Sequence, residues 1–228
     1  PAQVIYVWFD ALASYLTSLE LGGPGALLDR FWRDGTDRTH VIGKGISRFH
    51  AVYWPAFLLS AGLPLPDRIL VHGYLTVDGN KIRKSAAVAG DGGQDRSVPA
   101  VVNRLGSDAV RWYFVRRCRT RGDADVVLDD IAAAHDADLV GRLGNLVQRS
   151  LALVARVAEV DARVPEPPAS GDEALRGIAE ALPARVDAAV DAFLLDDAVG
   201  AILELVDAAN RTLDERAPWR AARTDPSA

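Results

Sequence analysis

The first 80 residues alternate short apolar runs that favour strands with longer runs that favour helices. VIYVWF (4–9), HVIGKG (40–45) and RILVHGYL (68–75) are rich in β-branched and aromatic residues, and a helix-favouring run separates each from the next. Apolar runs without polar alternation are typical of strands that are buried on both faces of a parallel sheet. The strand–helix–strand order with short connections therefore predicts half of a doubly wound α/β sheet.

The predicted strands end in residues that suit a binding site. Ligands of doubly wound sheets bind beyond the carboxyl ends of the strands. The residues at those ends are Trp8, Phe9 and Asp10, then Gly43 and Lys44, then His72, Gly73 and Tyr74. We expect them to form one site. The second predicted helix contains Pro55, which is predicted to kink it.

The remainder of the chain is predominantly helical. Segment 98–118 has helical periodicity, and from Asp129 onward the chain is rich in Ala, Leu and Val. VPEPPASGD (164–172) is a predicted linker between helices. An apolar stripe with helical spacing at positions 139, 143, 146, 150, 153 and 157, with only Ser150 polar, predicts the core side of a bundle helix. We predict three regions, 1–85, 86–130 and 131–228.

Charge and cysteine content exclude several classes of protein. The formal net charge of −5 gives no global basic field for nucleic acid, although RWYFVRRCRTR (111–121) carries five arginines and no acid. Cys118 is the only cysteine, which excludes an internal disulfide and a Cys-rich zinc site in these residues and fits a cytoplasmic protein. No apolar run is long enough for a membrane anchor. The chain begins at Pro1 and contains no Met, so we expect it to be part of a longer protein.

Five segments together resemble one family. YVWFDALASYLT, HVIGKGISRFHAVYWPAFLLSAGLPLP, HGYLTVDGNKIRKS, LGSDAVRWYF and GRLGNLVQRS are similar to methionyl-tRNA synthetases, which are class I aminoacyl-tRNA synthetases, in that family's order and spacing. The resemblance covers nearly the whole chain. It implies the second half of a Rossmann-like catalytic domain in 1–85, a stem-contact linking region in 86–130, and a helical anticodon-binding bundle in 131–228.

The segment DGNKIRKS (78–85) corresponds to the family's KMSKS loop. By resemblance, Lys81, Lys84 and Ser85 are catalytic, while Ile82 and Arg83 replace Met and Ser. Preorganised ammonium groups stabilise the charge that develops when the amino-acid carboxylate attacks the α-phosphate of ATP and pyrophosphate leaves. The alternative is a solvated turn, because Asp-Gly-Asn favours turns and lysines are common at turn tips.

The resemblance also implies the two small-molecule sites. A methionine side-chain pocket would use Trp8, Ala11, Leu12, Tyr15, Ile46 and His50. Aromatic and aliphatic walls suit a thioether. ATP, bound transiently with Mg²⁺, would contact Gly43, Lys44, His72, Gly73 and Lys84. The alternatives are that Trp8 and Ile46 are core residues, that His50 is a hydrogen-bonded helix histidine, and that the glycines serve turns.

The tRNA contacts implied by the resemblance lie in the second half. Asn145, Arg149 and Trp219 match the family's anticodon-reading positions, where Arg and Trp stack on unstacked bases and Asn reads a base edge. The alternative is that these residues are ordinary polar and packing residues of the bundle. The arginine-rich segment 111–121 could contact tRNA phosphates.

The sequence also departs from the family pattern. Gly45 stands where the family has an acid that binds the ribose of ATP, and Arg83 adds a cation to the loop. The first half of the catalytic sheet, with the HIGH motif, is not in this sequence, and neither is the connective domain with its zinc knuckle. We therefore expect the 228 residues alone not to activate amino acids, and expect the missing half in the same chain or in a partner.

Three functions remain open at this point. The first is part of a methionine–tRNA ligase, with tRNA, methionine and ATP as partners. The second is a paralogue that activates an amino acid for a small acceptor, as in natural-product or hydrazine-forming pathways, which Gly45 and Arg83 favour. The third is a non-catalytic tRNA-binding module.

Overall fold

The computed structural model describes residues 7–35, 37–77, 79–81, 97–161 and 172–220. The chain divides into two compact units. The first unit contains Pro1–Tyr74 and Arg121–Asp123, and the second contains Leu75–Thr120 and Ala124–Ala228. The predicted boundaries at residues 85 and 130 are not tested by this division and stay a prediction.

In its described residues, the first unit consists of helices, helical turns and one pair of parallel strands. Its elements are α1 (Trp8–Thr17), α2 (Ala26–Leu28) with a π-helical turn at Asp29–Arg33, β1 (Thr39–Gly43), a 3₁₀ turn at Lys44–Ile46, a π-helical turn at Phe49–Tyr53, α3 (Trp54–Ser60) and β2 (Arg68–His72). Strands β1 and β2 pair in parallel from Thr39 opposite Arg68 to Gly43 opposite His72. This confirms the predicted order of strand, helix and parallel strand between residues 39 and 72.

The core of the first unit lies between its helices. Leu12 and Leu16 are one helical turn apart on α1 and pack with Leu28, Trp32, Trp54 and Leu58. All six are at most 5% exposed. Burial of side chains of this size contributes roughly 1.5–3 kcal/mol each, so α1 is held mainly by its apolar face.

Two strand predictions in this unit are wrong in part. Trp8 and Phe9 were expected in a strand, but they begin α1: Val7 has right-handed helical angles, and its carbonyl accepts a hydrogen bond from Ala11 N at 2.9 Å. The helical period places Trp8 one turn from Leu12 on the packed face, and this packing overrides the strand propensity of aromatic residues. Residues 4–6 of the predicted strand lie outside the described part of the chain.

The strand predicted at 68–75 is shorter and less buried than expected. It ends at His72, and none of its residues is fully buried: Arg68 and Val71 are exposed, and the other three are half-buried. Among the described residues β2 pairs with β1 alone, so one of its edges carries no strand. Pro55 lies in the first turn of α3, where its missing N–H is tolerated, directly after the π-helical turn at Phe49–Tyr53. The kink expected at Pro55 stays a prediction.

The second unit combines a small sheet with a helical bundle. Strands β3 (Leu75–Val77), β4 (Asn80–Lys81) and β5 (Ala124–Val126) lie in the order β4-β3-β5, antiparallel and then parallel. The helices are α4 (Val98–Leu105), α5 (Ser107–Arg117), α6 (Asp130–His135), a π-helical segment at Asp136–Gly144, α7 (Asn145–Asp161), α8 (Glu173–Asp191) and α9 (Leu195–Arg216). One core cluster joins α4, α5, α6 and β5 through Val101, Val110, Tyr113, Val126 and Ile131.

The predicted core stripe of the bundle is only half-buried. Leu139, Leu146, Ser150 and Leu153 are half-buried and Leu143 is exposed, so the stripe is the more buried side of this segment, as predicted, but it is not fully buried. Fully buried bundle residues instead lie on α9, at Ala198, Val199, Ala201, Leu203, Val206 and Ala208. Helix α7 also carries apolar residues on its exposed face, including Val147 and Leu151.

None of the helices in the described residues combines the length and apolar character needed to cross a bilayer. The predicted linker residues 164–171 and the loop at 86–96 lie outside the described residues.

Candidate active site

An aromatic pocket opens on the first unit. Trp8 stacks on Phe49 with their ring centroids 4.0 Å apart and the planes 11° from parallel. The pocket has a volume of about 350 Å³ and is lined by Trp8, Phe9, Leu12, Phe49, Tyr53 and Phe57. Its walls come from one face of α1 and from aromatic residues at four-residue intervals, 49, 53 and 57. Such walls suit an apolar or thioether side chain.

A buried hydrogen-bond chain adjoins these aromatic rings. The Nδ1 atom of His50 lies 3.0 Å from the carbonyl oxygen of Ile46, and its Nε2 atom lies 2.9 Å from the hydroxyl of Tyr15. A carbonyl only accepts, so the tautomer that fits both partners carries its hydrogen on Nδ1 and accepts at Nε2 the hydrogen bond that Tyr15 donates. The Tyr15 oxygen therefore keeps its acceptor capacity for a polar group of a ligand. Burial raises the pKa of Tyr15.

A second histidine lies beside this chain. Trp54 Nε1 donates a hydrogen bond of 3.0 Å to His40 Nε2 within the core. The His40 and His50 rings are 5.8 Å apart, and burial, followed by the charge that His50 can carry, lowers the pKa of His40. His40 is thus held neutral, with Nε2 as an acceptor.

The six residues predicted for the amino-acid pocket fall into two adjoining groups, with one residue outside both. Trp8 and Leu12 line the aromatic pocket, and Tyr15, Ile46 and His50 form the hydrogen-bond chain. Ala11 is exposed on α1. Sequence reasoning missed Phe49, Tyr53 and Phe57, although the regular spacing of these aromatics was a signal that could have identified them.

The carboxyl ends of β1 and β2 form a second, polar site in the first unit. The pairing of Gly43 with His72 brings the two strand ends to one edge. Lys44 Nζ lies 2.6 and 2.7 Å from the two carboxylate oxygens of Asp123, and Tyr74 N–H donates to the same carboxylate at 2.8 Å. These contacts lower the pKa of Asp123, and the hydrogen bond from Lys44 has the largest effect. Four of the five predicted ATP residues, Gly43, Lys44, His72 and Gly73, thus lie together. With them are Tyr74, which was expected at this strand end, and Asp123, which sequence reasoning had not assigned.

Close packing explains why residue 73 is glycine. A Cβ added there would overlap the carbonyl of Gly122 and lie 2.6 Å from Asp123 N. At Gly43, by contrast, an added Cβ would meet only the His72 ring, at 3.7 Å, an ordinary contact. Gly73 is therefore required by the close approach of segment 121–123, which carries Asp123.

Strand β3, which precedes the KMSKS-type segment 78–85, is held by the carboxylate of Asp125 in the second unit. Asp125 accepts hydrogen bonds from the Thr76 hydroxyl at 2.5 Å and from Gly79 N–H at 2.9 Å, which lower its pKa. Gly79 has the left-handed φ of 74° that this turn needs. The turn leads into the backbone of Lys81 in β4, whereas Lys84 and Ser85 lie outside the described residues.

A third site lies at one end of the bundle. Arg149 Nη2 donates to Asp214 at 2.6 Å, and its guanidinium lies over the Trp219 ring, 5.0 Å from the centroid. A pocket of about 270 Å³ is lined by Arg149, Ala152, Leu153, Arg156 and Trp219. Asn145 and Arg149 line a neighbouring polar pocket with Arg142, Asp207, Asn210 and Asp214. The structure thus brings the predicted Asn145, Arg149 and Trp219 together around Arg149.

Two ion pairs with the same sequence spacing, Arg142–Asp207 and Arg149–Asp214, hold the arginines of this site. Arg142 donates through Nε to Asp207 at 2.8 Å and through Nη1 to the buried Asp138 at 2.9 Å. The pKa of Arg142 is raised, chiefly by Asp207. Arg142 and Arg149 are seven residues apart, as are Asp207 and Asp214. This matched spacing, two helical turns on each segment, was the sequence signal for the pairs that we missed.

The arginine-rich segment is partly engaged within the second unit. Arg116 lies 3.6 Å from Asp138, and Arg119 lies 3.6 Å from Asp196. Arg111, Arg117 and Arg121 are exposed. Within the described ranges no group of three or more His, Cys, Asp or Glu side chains is arranged to hold a metal ion.

A sequence profile of the family described as "tRNA synthetases class I (M)" matches residues 1–151. The chain belongs to this family. The match includes the residues of the aromatic pocket, both strand ends and the first turn of α7, so it covers the first unit and extends into the second.

Relatives in the same family align with almost the whole of this synthetase chain. A methionine–tRNA ligase of Mycobacterium tuberculosis is 39% identical over 230 residues, which is 100% of this chain and 42% of that protein. One from Nostoc sp. is 39% identical over 223 residues, 96% of this chain and 41% of that protein. The chain thus spans about two fifths of the length of the curated relatives it matches.

A solved structure agrees with the sequence comparison. The methionyl-tRNA synthetase of Mycobacterium tuberculosis in complex with methionyl-adenylate superposes with a TM-score of 0.80 at 39% identity, covering 95% of this chain and 41% of that one. The apo form of the same enzyme gives a TM-score of 0.75 at 38% identity, covering 95% and 40%. The chain therefore shares the Rossmann-like class I synthetase fold.

Proposed function

We propose that this chain is part of a methionine–tRNA ligase that activates methionine with ATP and transfers it to tRNA. The observation that carries the proposal is the match of both units to methionine–tRNA ligases over 95% or more of the chain. Within that enzyme the chain supplies the amino-acid pocket, the KMSKS-type loop and an anticodon-binding bundle.

The first unit supplies the methionine site. The stacked Trp8 and Phe49 and the other aromatic walls suit an unbranched thioether. The hydrogen bond between Tyr15 and His50 leaves an acceptor oxygen beside that pocket, which orients a polar group of the amino acid. We assign Trp8, Leu12, Tyr15, Ile46 and His50 to this site, with Ala11 on the exposed rim of α1.

The strand ends and the loop supply the nucleotide site. Gly43, Lys44, His72 and Gly73 contact ATP at the carboxyl edge of β1 and β2, where such ligands bind. The methionine carboxylate attacks the α-phosphate, the bond to the β-phosphate oxygen breaks, and pyrophosphate leaves. Lys81 and Lys84 stabilise the leaving charge, and the Ser85 hydroxyl donates to a phosphate oxygen. Mg²⁺ bound with ATP neutralises part of the phosphate charge.

The bundle supplies the tRNA contacts. The Arg149 guanidinium, held by Asp214 over Trp219, offers a cation and a stacking face to an unpaired base. Asn145, in the adjoining polar pocket, can read a base edge. The exposed Arg111, Arg117 and Arg121 approach tRNA phosphates.

The three predicted regions have separate roles in the proposed enzyme. Residues 1–85 form the second half of a doubly wound catalytic sheet, 86–130 the stem-contact region, and 131–228 the anticodon bundle. A HIGH-bearing half, in the same chain or in a partner, completes the nucleotide site. We expect the enzyme to act in the cytoplasm.

Methionine-dependent exchange of pyrophosphate into ATP, measured with the full-length natural protein that contains this chain, tests the activation step. We expect exchange by that protein, a strong loss in its Lys84→Ala variant, and none by the 228 residues alone. Exchange that is unchanged by Lys84→Ala would contradict the role of the loop.

Transfer to tRNA tests the acceptor and separates the three functions. Charging of tRNA with methionine supports the ligase. Esterification or amidation of a small acceptor without tRNA charging would instead establish the paralogue, which the glycine at position 45 favours. Salt-sensitive tRNA binding without affinity for ATP or methionine would establish a non-catalytic module.

A further inference from the structure

Position 45 and Tyr74 compete for the same space in the first unit. A Cβ at Gly45 would overlap the Tyr74 hydroxyl, while the next nearest atom, the ring carbon Cζ, would lie at 3.4 Å, an ordinary contact distance. Any side chain at this position must therefore displace the Tyr74 hydroxyl. Because the obstructing atom is the end of a side chain, rotation of Tyr74 is an easier response than movement of the backbone.

Tyr74 is also one of the two groups that hold the ammonium of Lys44. The Lys44 Nζ atom lies over the Tyr74 ring, 4.6 Å from its centroid, and both carboxylate oxygens of Asp123 lie within 2.7 Å of it. Asp123 also accepts the Tyr74 N–H at 2.8 Å. The three residues therefore form a closed ring of contacts in which each one touches the other two.

The ring of contacts fixes where the Lys44 charge lies. Lysine has a long side chain whose ordering costs rotamer entropy, and Lys44 and Asp123 are each about half exposed, so their ion pair alone holds the ammonium weakly. The aromatic face adds a second, directional contact. An ammonium has three N–H donors, and among the described residues Asp123 is the only hydrogen-bond partner of Lys44 Nζ, so a donor remains for an anionic ligand at the strand edge.

We propose that Tyr74 is a positioning residue for Lys44, assisted by Asp123, and that position 45 is glycine because a side chain there would move Tyr74 off the ammonium. This inference rests on the proposed function in one respect, that the anion which Lys44 meets is a phosphate of ATP. It adds Tyr74, Asp123 and the size of residue 45 as determinants of nucleotide affinity.

A double-mutant cycle tests the proposal through the KM for ATP in the exchange assay, using the full-length natural protein. Gly45→Ala is expected to raise this KM about threefold to tenfold with little change in kcat, the range of a lost cation–π contact. In a Tyr74→Phe background the Cβ would face a ring carbon at 3.4 Å, so the same substitution is expected to change KM less than about twofold. Tyr74→Leu, which removes the ring face, should raise KM as Gly45→Ala does.

Two further measurements keep the outcomes distinguishable. Gly177→Ala is the matched control, because an added Cβ there meets nothing within 4 Å, and it should leave KM unchanged. The thermal midpoint of the same four proteins of the cycle tests the steric contact independently of catalysis, and Gly45→Ala should lower it more with Tyr74 than with Phe at position 74.

Each result decides a separate claim. Equal effects of Gly45→Ala on the thermal midpoint in both backgrounds would overturn the steric competition. Unequal midpoints with equal KM effects would overturn the positioning role. Absence of exchange in the parent protein, assayed with its HIGH-bearing half present in the same chain or as the partner, would refute the proposed function. The thermal cycle would then support or overturn the Gly45–Tyr74 competition by itself.

Discussion

The substitution Gly73→Ala gives the sharpest test of how the first unit is packed. The new Cβ would overlap the Gly122 carbonyl and lie 2.6 Å from Asp123 N, whereas ordinary contact begins at 3.4 Å. Both obstructing groups are backbone, so no rotamer change relieves the overlap and segment 121–123 must move. Overpacking of this kind costs about 1–3 kcal/mol. Alanine has less conformational freedom than glycine in the unfolded chain, which offsets about 0.4–1 kcal/mol of this loss in stability. We expect a net loss of about 1–2 kcal/mol in the free energy of unfolding.

Urea unfolding followed by tryptophan emission measures this loss, because Trp32 and Trp54 are buried in the same unit. The midpoint should fall by roughly 0.5–1 M urea for a slope near 2 kcal/mol/M. Gly43→Ala is the matched control at the neighbouring strand end, where the Cβ would meet only the His72 ring at 3.7 Å, so its midpoint should stay or rise slightly. Equal midpoints for the two variants would refute the claim that segment 121–123 packs against Gly73.

Three other substitutions or conditions test the buried histidine and the bundle end. Trp54→Phe leaves His40 Nε2 without its donor and should lower the free energy of unfolding by about 1–3 kcal/mol, measured by urea titration. Because the fold lowers the pKa of His40 below its usual 6.5, the unfolded chain binds a proton that the folded chain excludes. Stability should therefore be full above about pH 6.5 and decrease as the pH falls, by at most about 1.4 kcal/mol per pH unit for this group, and His40→Gln should reduce that dependence in denaturation measured across this pH range. Arg149→Ala removes the cation over Trp219 and should weaken tRNA binding about tenfold or more in a filter-binding assay, whereas Arg185→Ala, which breaks a surface pair with a glutamate, should not.

Several elements of the fold follow from local sequence patterns. The β-branched run at 39–43 and the run at 68–72 do form strands that pair in parallel. The conformation of each run follows from its own residues, and a parallel pair requires the intervening crossover that the sequence showed. The same reasoning failed at Trp8 and Phe9. Aromatic residues favour strands in isolation, but here packing on one face of α1 decides their conformation.

Contacts between distant segments were beyond sequence reasoning. Asp123 meets Lys44 across 79 positions, and Asp207 and Asp214 each meet an arginine 65 positions away. Strand β5 has three residues, too few for a detectable alternation, and it is held by pairing with β3. The aromatics 49, 53 and 57 and the matched arginine and aspartate spacings were visible, but they had no meaning until their partners were known.

The sequence by itself determined which family the chain resembles, where most helices and the parallel strand pair lie, and which residue types could serve a synthetase, because these depend on order and spacing along the chain. Only the tertiary structure decided that Gly73 accommodates segment 121–123, that Tyr74 and Asp123 hold Lys44, and that Asp214 holds Arg149 over Trp219. The physical reason is that steric exclusion, ion pairing and ring stacking act over a few ångströms in space. Residues separated by many positions in the sequence experience them only after the chain has folded.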